Sequence, residues 1–227
     1  LKTVEDATEI RRRILIAFEA AEREHGPEIR RAWMNFVIVG GGPTGVELGG
    51  ALGEIARDTL RRDFRSIRPG EARIILVEVM DRVLFAYPPD RSRSAQRQLE
   101  RLGVQVRTKT RVIDVTEDGV RIMDPDDKEE WIPARTVLWA AGVSAASVGR
   151  TLGGPTDRVG RVIVNDDLTL PGRPEVFVVG DLAVSKGADG QPLPGVAQVA
   201  IQGGAHAAKN IARTLAGQPR EPFTYRN

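Results

Sequence analysis

A glycine-rich run placed between a strand and a helix constrains this chain more than any other feature. Residues 40–45 have the spacing G-x-G-x-x-G, directly follow the apolar residues 36–39 and open a segment with helical periodicity. In this context the first glycine turns the chain, the second admits a pyrophosphate to the backbone, and the third lets the helix pack close to the strand. Free N–H groups and the helix dipole then favour phosphate. The run predicts a dinucleotide site formed by Gly40, Gly41, Gly42, Pro43, Thr44 and Gly45.

The segments around this run predict an α/β protein with a doubly wound parallel sheet. Short apolar strands alternate with helical stretches, in the order 36–39 (strand), 44–62 (helix), 73–79 (strand), 90–102 (helix) and 104–107 (strand). This alternation is typical of a Rossmann-like fold. Residues 111–132 contain three short strands separated by turn-forming residues, which predicts an antiparallel meander. A further buried strand, 136–139, ends at Ala140-Ala141-Gly142.

The two ends of the chain are predicted to be helical. Residues 2–24 carry apolar side chains at spacings of three and four, and Thr3 with Asp6 resembles a capping pair. Toward the other end, residues 162–165 and 176–179 predict strands, the second of them buried and parallel, and 196–215 predict a helix.

Glu78 is the candidate ribose-binding residue, because it lies at the end of the second predicted strand. A carboxylate there can accept both hydroxyls of an adenosine ribose. It would also repel a 2′-phosphate, at a cost of about 4 kcal/mol per charge pair at 4 Å and an effective dielectric of 20. NADH is therefore favoured over NADPH, although nearby Arg82 weakens that inference. The alternative is a solvated glutamate at a strand end.

Four further polar residues are candidates for chemistry. Glu47 lies on the first turn of the helix. Its side chain either points toward a nicotinamide or another bound ring, or it only complements the helix dipole. Asp181 follows the strand 176–179, at the edge where parallel sheets bind ligands. Gln198 and Gln202 lie four residues apart on one helix face, where they either hydrogen-bond a carbonyl oxygen or form an ordinary polar stripe.

Composition excludes several other classes. The absence of cysteine removes disulfides and thiolate chemistry, and two histidines are too few for a histidine metal cluster, so no metal site is predicted. A net charge of +2 from 33 basic and 31 acidic residues gives no nucleic-acid footprint. The longest apolar runs are far shorter than the roughly 18 residues of a membrane span.

Five segments in a fixed order resemble type II NADH:quinone oxidoreductases. They are GGGPTGVE (40–47), RIILVEV (73–79), VLWAAGV (137–143), VFVVGDLA (176–183) and AQVAIQ (197–202). The family consists of single-chain, non-proton-pumping NADH dehydrogenases in the superfamily of FAD-dependent pyridine nucleotide-disulfide oxidoreductases. The resemblance implies a respiratory-chain enzyme that transfers hydride from NADH to FAD and then electrons to a membrane quinone.

Carried onto this sequence, the resemblance assigns a role to each motif. Gly40, Gly42 and Gly45 would hold the NADH pyrophosphate, Glu78 the ribose, and Ala141 with Gly142 would approach the cofactor by their backbone. The residues implied for flavin and quinone handling are Glu47 near nicotinamide and flavin, Gly180 and Asp181 at the ribityl chain of FAD, and Ala197, Gln198 and Gln202 in the quinone pocket beside the flavin. Glu47 and Gln198 are the implied catalytic residues.

The sequence also departs from this family's pattern. Members begin with another G-x-G-x-x-G for the FAD pyrophosphate and end in amphipathic helices that bind the membrane, and neither is found here. We therefore expect an internal fragment, with residues 1–26 as a linker helix, 27–142 as the NAD(H)-binding domain and 143–227 as the rear part of the FAD-binding domain. The fragment is expected to bind NADH but to hold FAD poorly. The parent is expected to be cytoplasmic, at the membrane surface, with a homodimer left open.

Three alternatives remain at this point. A ferredoxin or rubredoxin reductase-like flavoprotein shares most motifs and differs mainly in AQVAIQ. Disulfide reductases and sulfide:quinone oxidoreductases are disfavoured by the missing cysteines. A non-catalytic NADH-binding module that senses redox state belongs to a different functional class.

Overall fold

The structure is a computed structural model that describes residues 3–142, 145–187 and 189–226. Lys2, the first residue of the predicted amino-terminal helix, and Val143, the last residue of VLWAAGV, lie outside these ranges. The chain divides into two compact units, Leu1–Gly142 and Val143–Asn227. Within the described ranges, no helix is both long enough and apolar enough to cross a bilayer.

The first unit alternates helices and strands as the sequence predicts. Its helices are α1 (Val4–Arg23), α2 (Pro27–Trp33), α3 (Pro43–Glu54) and α4 (Pro89–Arg101). Its strands are β1 (Asn35–Val39), β2 (Arg73–Val77), β3 (Val104–Arg107), β4 (Arg111–Val115), β5 (Gly119–Met123), β6 (Glu129–Pro133) and β7 (Thr136–Trp139). A π-helical turn, Ile55–Thr59, extends α3, and a 3-10 turn, Pro69–Glu71, precedes β2.

Four of these strands form a parallel sheet in the order β3-β2-β1-β7. The chain runs outward from β1 to β3, and then returns to place β7 on the opposite side of β1. The strand order therefore reverses between β1 and β7, and such a switch point leaves a crevice at the carboxyl ends of the strands, where ligands bind. This arrangement confirms the predicted doubly wound, Rossmann-like sheet.

Each face of the parallel sheet is covered by a different layer. Phe36 and Ile38 of β1 join a core with residues of α1, α3 and α4, whereas Val37 and Val39 join the residues of the meander. The meander is the antiparallel sheet β4-β5-β6, which confirms the prediction for residues 111–132. Side chains alternate between the faces of a strand, so a strand covered on both faces is apolar throughout. That rule explains the unbroken burial of β1.

Helix α1 packs on the same core. Thr3 and Asp6 form the predicted capping box, each side chain bonded to the other residue's backbone. One face of the helix carries Phe18, which is fully buried with its ring centroid 5.2 Å from that of Phe36. The helix expected as a linker over residues 1–26 is thus packed within the unit Leu1–Gly142.

The second unit contains short elements and one long helix. These are α5 (Val148–Thr151), β8 (Val162–Ile163), β9 (Thr169–Leu170), β10 (Arg173–Phe177), β11 (Ala183–Val184) and α6 (Ala197–Leu215). β8 pairs with β11 in parallel, and a small core contains Val162, Leu170 and Val178. Helix α6 agrees with the prediction for 196–215 and buries Val199, Gly203 and Ala207.

The prediction of a buried parallel strand over residues 176–179 is wrong. The observed strand, β10, ends at Phe177 and pairs antiparallel with β9. Gly172, with φ +78°, makes the tight turn between β9 and β10. An apolar run such as Val176–Val179 is typical of a strand covered on both faces, but Val176 and Phe177 are only partly buried.

A carboxylate on α1 fixes the loop that leads into β2. Glu22 accepts hydrogen bonds from the backbone N–H groups of Arg65, Ser66 and Ile67, at 2.9–3.0 Å. Desolvation raises the pKa of Glu22, but these hydrogen bonds outweigh it, so its pKa lies below the ordinary value. The ionised carboxylate therefore stabilises the folded state.

We predict that Glu22→Gln lowers the melting temperature at neutral pH, because an amide offers one acceptor oxygen where the carboxylate offers two. A folded-state pKa below the unfolded value of about 4.3 gives a stabilisation that is present above that value and lost as pH falls. The difference in melting temperature between the variant and the wild type should therefore shrink in acid. Scanning calorimetry from pH 7 to pH 3 measures it.

Glu19→Gln is the matched control, since Glu19 is an exposed carboxylate on the same helix. Equal melting temperatures for the two variants at pH 7 would show that the bonds to the loop contribute nothing.

Candidate functional site

The glycine-rich run lies at the switch point of the parallel sheet. Gly40 follows β1, takes φ +107° and donates its N–H to the Val77 carbonyl at 2.8 Å. A Cβ at Gly40 would lie 2.7 Å from the backbone nitrogen of Ala141, just after β7. A side chain is excluded here both by the positive φ and by this contact. The structure thus brings Ala141 against the glycine run.

The start of α3 packs tightly on this turn and leaves open space in front of it. A Cβ at Gly45 would lie only 1.8 Å from the Gly40 carbonyl oxygen, so the first helical turn can pack here only with glycine. Gly42 is the N-cap and provides no side-chain cap, and a Cβ built on it meets no atom within 4 Å. The first N–H groups of a helix have no intrahelical partner. Open space at this position therefore fits a phosphate group.

Pro43 and Thr44 complete the turn. Pro43 is the first helical residue, where its missing N–H costs nothing because that group has no helical partner. Thr44 is partly buried and supplies a backbone N–H on the first turn of α3.

Glu78 is bonded directly to the glycine run. Its Oε2 accepts the N–H of Gly41 at 2.5 Å, and its Oε1 accepts the N–H of Met80 at 2.8 Å. Each carboxylate oxygen can accept more than one hydrogen bond, so both retain acceptor capacity for ribose hydroxyls. The sequence predicted Glu78 for the ribose, but did not reveal this bond across 37 residues.

Sequence reasoning also missed the loop after β2, which supports the turn from the other side. Leu84 donates its N–H to the Gly41 carbonyl at 2.7 Å, and the position of a Cβ on Gly41 is 3.0 Å from Val83 Cγ1. No residue type in this loop marks the contact in advance. The sequence feature that comes closest to predicting this contact is the carboxylate of Glu78, at the end of β2.

The remaining candidates of the first unit are Glu47 and Gly142. Glu47 is exposed and lines a groove of about 550 Å³ between α3 and α4, with Arg91 and Gln98 on the opposite side. Gly142 takes φ +80° and is exposed beside Ala141. Gly142 thus follows the end of β7 and has open space around it, whereas Glu47 lies on the side of α3 that faces α4.

In the second unit, Gly180 and Asp181 meet the start of α6. Gly180 has φ +68°, and a Cβ on it would lie 3.2 Å from Ala200 Cβ. A Cβ at Gly195, just before α6, would be 3.3 Å from Asp181 Oδ1. The VFVVGDLA and AQVAIQ segments, separate in sequence, are therefore adjacent here. Asp181 is exposed in front of a helix whose N-cap, Val196, provides no side-chain cap.

The two glutamines of α6 differ in their environment. Gln198 is exposed, as is the preceding Ala197, and the hydrogen bonds of the described residues do not include its amide. Gln202 donates from Nε2 to the Arg226 carbonyl at 2.8 Å and accepts the Arg226 N–H on Oε1 at 3.0 Å. The amide of Gln202 is thus already engaged by backbone, and Gln198 is the glutamine available to a ligand.

Taken by itself, the first unit has the fold and the glycine turn that are typical of dinucleotide-binding α/β domains. It combines a parallel doubly wound sheet, a glycine turn at the switch point, and a carboxylate at the end of the neighbouring strand. Among the described residues, no group of three or more His, Cys, Asp or Glu side chains is arranged to hold a metal ion.

Residues 3–204 match the family Pyridine nucleotide-disulphide oxidoreductase. The match covers most of the chain, and the chain therefore belongs to this family. The matched range contains both the glycine turn and the start of α6.

Two curated relatives illustrate the similarity. The type II NADH:quinone oxidoreductase Ndh of Mycobacterium tuberculosis is 43% identical over 235 residues, covering 99% of this chain and 49% of the relative. The demethylphylloquinone reductase NdbB of Synechocystis is 32% identical over 225 residues, covering 99% and 50%. The chain spans about half the length of these relatives.

Solved structures show the same fold. NDH2 from Plasmodium falciparum in complex with NADH matches with a TM-score of 0.68 at 20% identity, over 82% of this chain and 39% of that one. A ferredoxin reductase from Rhodopseudomonas palustris matches with a TM-score of 0.60 at 20% identity, over 88% and 46%.

We predict that alanine affects different properties at Gly45 and Gly42, which lie in and next to the first turn of α3. Gly45→Ala should lower the melting temperature by roughly 5 °C or more, because its Cβ collides with the Gly40 carbonyl. Gly42→Ala should leave the melting temperature within about 1 °C, because its Cβ occupies open space. It should nevertheless weaken NADH binding at least about tenfold, by filling the space for phosphate.

Thermal melting and calorimetric titration with NADH separate these effects. Gly204→Ala is the matched control, since a Cβ there also meets nothing within 4 Å and Gly204 lies on α6. Undiminished NADH binding by Gly42→Ala would contradict the phosphate position.

Proposed function

We propose that this chain forms the NADH-binding domain and part of the FAD-binding domain of a type II NADH:quinone oxidoreductase. The observation that carries the proposal is the glycine turn at the switch point of the sheet, where Glu78 accepts a hydrogen bond from Gly41. The identity of 43% to a relative of that name supports the choice within the family. In this proposal residues 27–142, together with the packed helix α1, bind NADH, and residues 143–227 contribute to the flavin and quinone sites.

In this proposal, the first unit forms the NADH site. The N–H groups at the start of α3 bind the pyrophosphate, and Gly42 leaves space for it. Glu78 accepts the adenosine ribose hydroxyls and disfavours a 2′-phosphate. Ala141 and Gly142 line the other side of the crevice with backbone, where a dinucleotide passes between β1 and β7.

The second unit offers a fitting edge for FAD. Asp181 presents a carboxylate, which can accept hydroxyl groups of a ribityl chain, in front of the uncapped N-terminus of α6. Gly180 permits the close approach to Ala200 that places this carboxylate. When bound, the flavin supplies the capacity to take up hydride and to pass on electrons. The protein contributes orientation of the cofactor and shielding from water.

Quinone handling is assigned to the start of α6. The Gln198 amide can donate a hydrogen bond to a quinone carbonyl without adding charge, and Ala197 beside it leaves room. Gln202 fixes the backbone of Arg226 through two hydrogen bonds. Its amide lines the quinone pocket only when these hydrogen bonds break. Glu47 is proposed to act near the nicotinamide and flavin.

The cellular setting belongs to the same proposal. A quinone dissolved in a membrane requires the parent protein to work at the membrane surface, on its cytoplasmic side.

A ferredoxin reductase-like enzyme is the second candidate. The observation in its favour is the fold similarity to the Rhodopseudomonas palustris reductase, at a TM-score of 0.60. The AQVAIQ segment, which exposes Gln198 at the start of α6, favours quinone reduction instead.

The test uses the full-length parent protein, because both cofactor domains are needed for turnover. We predict that a soluble quinone accelerates NADH oxidation, and that Gln198→Ala slows quinone reduction at least about tenfold. Reduction of the flavin by NADH should stay within about twofold of wild type in the same variant. Stopped-flow absorbance resolves the two half-reactions.

Gln191→Ala is the control, because Gln191 is an exposed glutamine in the loop before α6. NADH oxidation that no quinone accelerates, or a protein ferredoxin that outperforms quinone, would contradict the proposed function. Equal loss of both half-reactions in Gln198→Ala would contradict the role of that residue.

A further inference from the structure

We propose that Glu78 positions the phosphate-binding turn, in addition to any contact with ribose. This inference rests on the proposed NADH site and adds to it a role for Glu78 in the free protein. Glu78 then acts on the pyrophosphate through Gly41, as one arm of a clamp formed by Glu78 and Leu84.

The clamp holds both polar groups of the Gly41 backbone. Glu78 Oε2 accepts the Gly41 N–H at 2.5 Å, and Leu84 donates its N–H to the Gly41 carbonyl at 2.7 Å. Hydrogen bonds to a charged acceptor are short and about twice as strong as neutral ones. The residue next to Gly42, whose surroundings are open to phosphate, is thus fixed from two sides.

The loop that carries the clamp is itself held in place. Met80 donates its N–H to the other oxygen of Glu78 at 2.8 Å, and the buried Ser92 hydroxyl donates to the Val83 carbonyl at 2.6 Å. Leu84 takes φ +50°, a conformation that a non-glycine residue keeps only when its surroundings fix it. Because these contacts fix the loop, Glu78 and Leu84 hold the Gly41 backbone in one position.

Glycine at position 41 is explained by the same contact. Its Cβ would lie 3.0 Å from Glu78 Oε2 and 3.0 Å from Val83 Cγ1, and it has no positive φ that would otherwise require glycine. Glycine at position 41 thus makes room for the Glu78 carboxylate. The G-x-G-x-x-G spacing does not itself require glycine at this position.

A purely ribose-binding Glu78 and a positioning Glu78 give different results with two ligands. ADP carries the ribose hydroxyls, whereas 2′,3′-dideoxy-ADP carries the diphosphate without them. Glu78→Gln keeps the size of the side chain but replaces one carboxylate oxygen with an NH2 donor, so the N–H of either Gly41 or Met80 then faces a donor instead of an acceptor.

Calorimetric titration of the 227-residue chain with both ligands is the first experiment. Glu78→Gln should weaken dideoxy-ADP binding by about tenfold, as expected for a lost charge-assisted hydrogen bond. Asp81→Asn is the matched control, since it removes a negative charge in the same loop from a side chain that bonds Arg82. The control should change dideoxy-ADP affinity by less than about twofold.

Dideoxy-ADP affinity that is unchanged in Glu78→Gln, while ADP affinity falls, would overturn the inference in favour of a ribose contact alone. An equal fall in Asp81→Asn would also overturn it. Loss of a negative charge should favour an anionic ligand, so a shared fall would show a general disturbance of the loop and not the loss of the bond to Gly41.

Amide hydrogen exchange measured by NMR on the free chain is the second experiment. In Glu78→Ala, which removes both acceptor oxygens, exchange at Gly41 and Met80 should accelerate at least about tenfold, whereas Ile38 in β1 should be unaffected and so report an intact sheet. Unchanged exchange at Gly41 would overturn the clamp. If wild-type chain binds neither ligand, the proposed NADH site fails, and the exchange result alone decides whether the clamp exists.

Discussion

The contact between the first turn of α3 and the carbonyl of Gly40 determines the rest of the site. A Cβ at Gly45 would lie 1.8 Å from that oxygen, so the helix can approach the turn this closely only because position 45 is glycine. The close approach brings the uncapped helix N-terminus to the carboxyl edge of the sheet, beside the segment after β7. Backbone N–H groups and the positive end of the helix dipole are then directed at one open space.

The surrounding sheet explains why the open space in front of Gly42 lies at the edge where parallel sheets bind ligands. β1 occupies the centre of the order β3-β2-β1-β7, with helices on one face and the meander on the other. Ligands reach such a sheet at the end of its strands, at the point where the order reverses. Glu78 and Ala141 come from the two strands that flank β1, and both contact the glycine turn.

Local chemistry made much of this architecture predictable from the sequence. Residues 40–45 carry their own conformational requirements, strand β7 is a short apolar run, and helix α4 is followed by a glycine stop at Gly103. The wrong prediction, a buried parallel strand over 176–179, arose because an apolar run does not reveal which strand will pair with it. The bonds of Glu78 to Gly41 and of Gln202 to Arg226 join residues 37 and 24 positions apart, and no local pattern encodes such contacts.

The central claim is that main-chain N–H groups at the start of α3 bind the pyrophosphate of NADH. Two-dimensional NMR of the isotope-labelled chain during titration with NADH tests it most directly, because every backbone amide reports separately. The account predicts saturable shifts that are largest at Gly42, Thr44 and Gly45, with Glu19 on the outer face of α1 unaffected. A folded chain whose amides at residues 40–45 do not respond to NADH would contradict it.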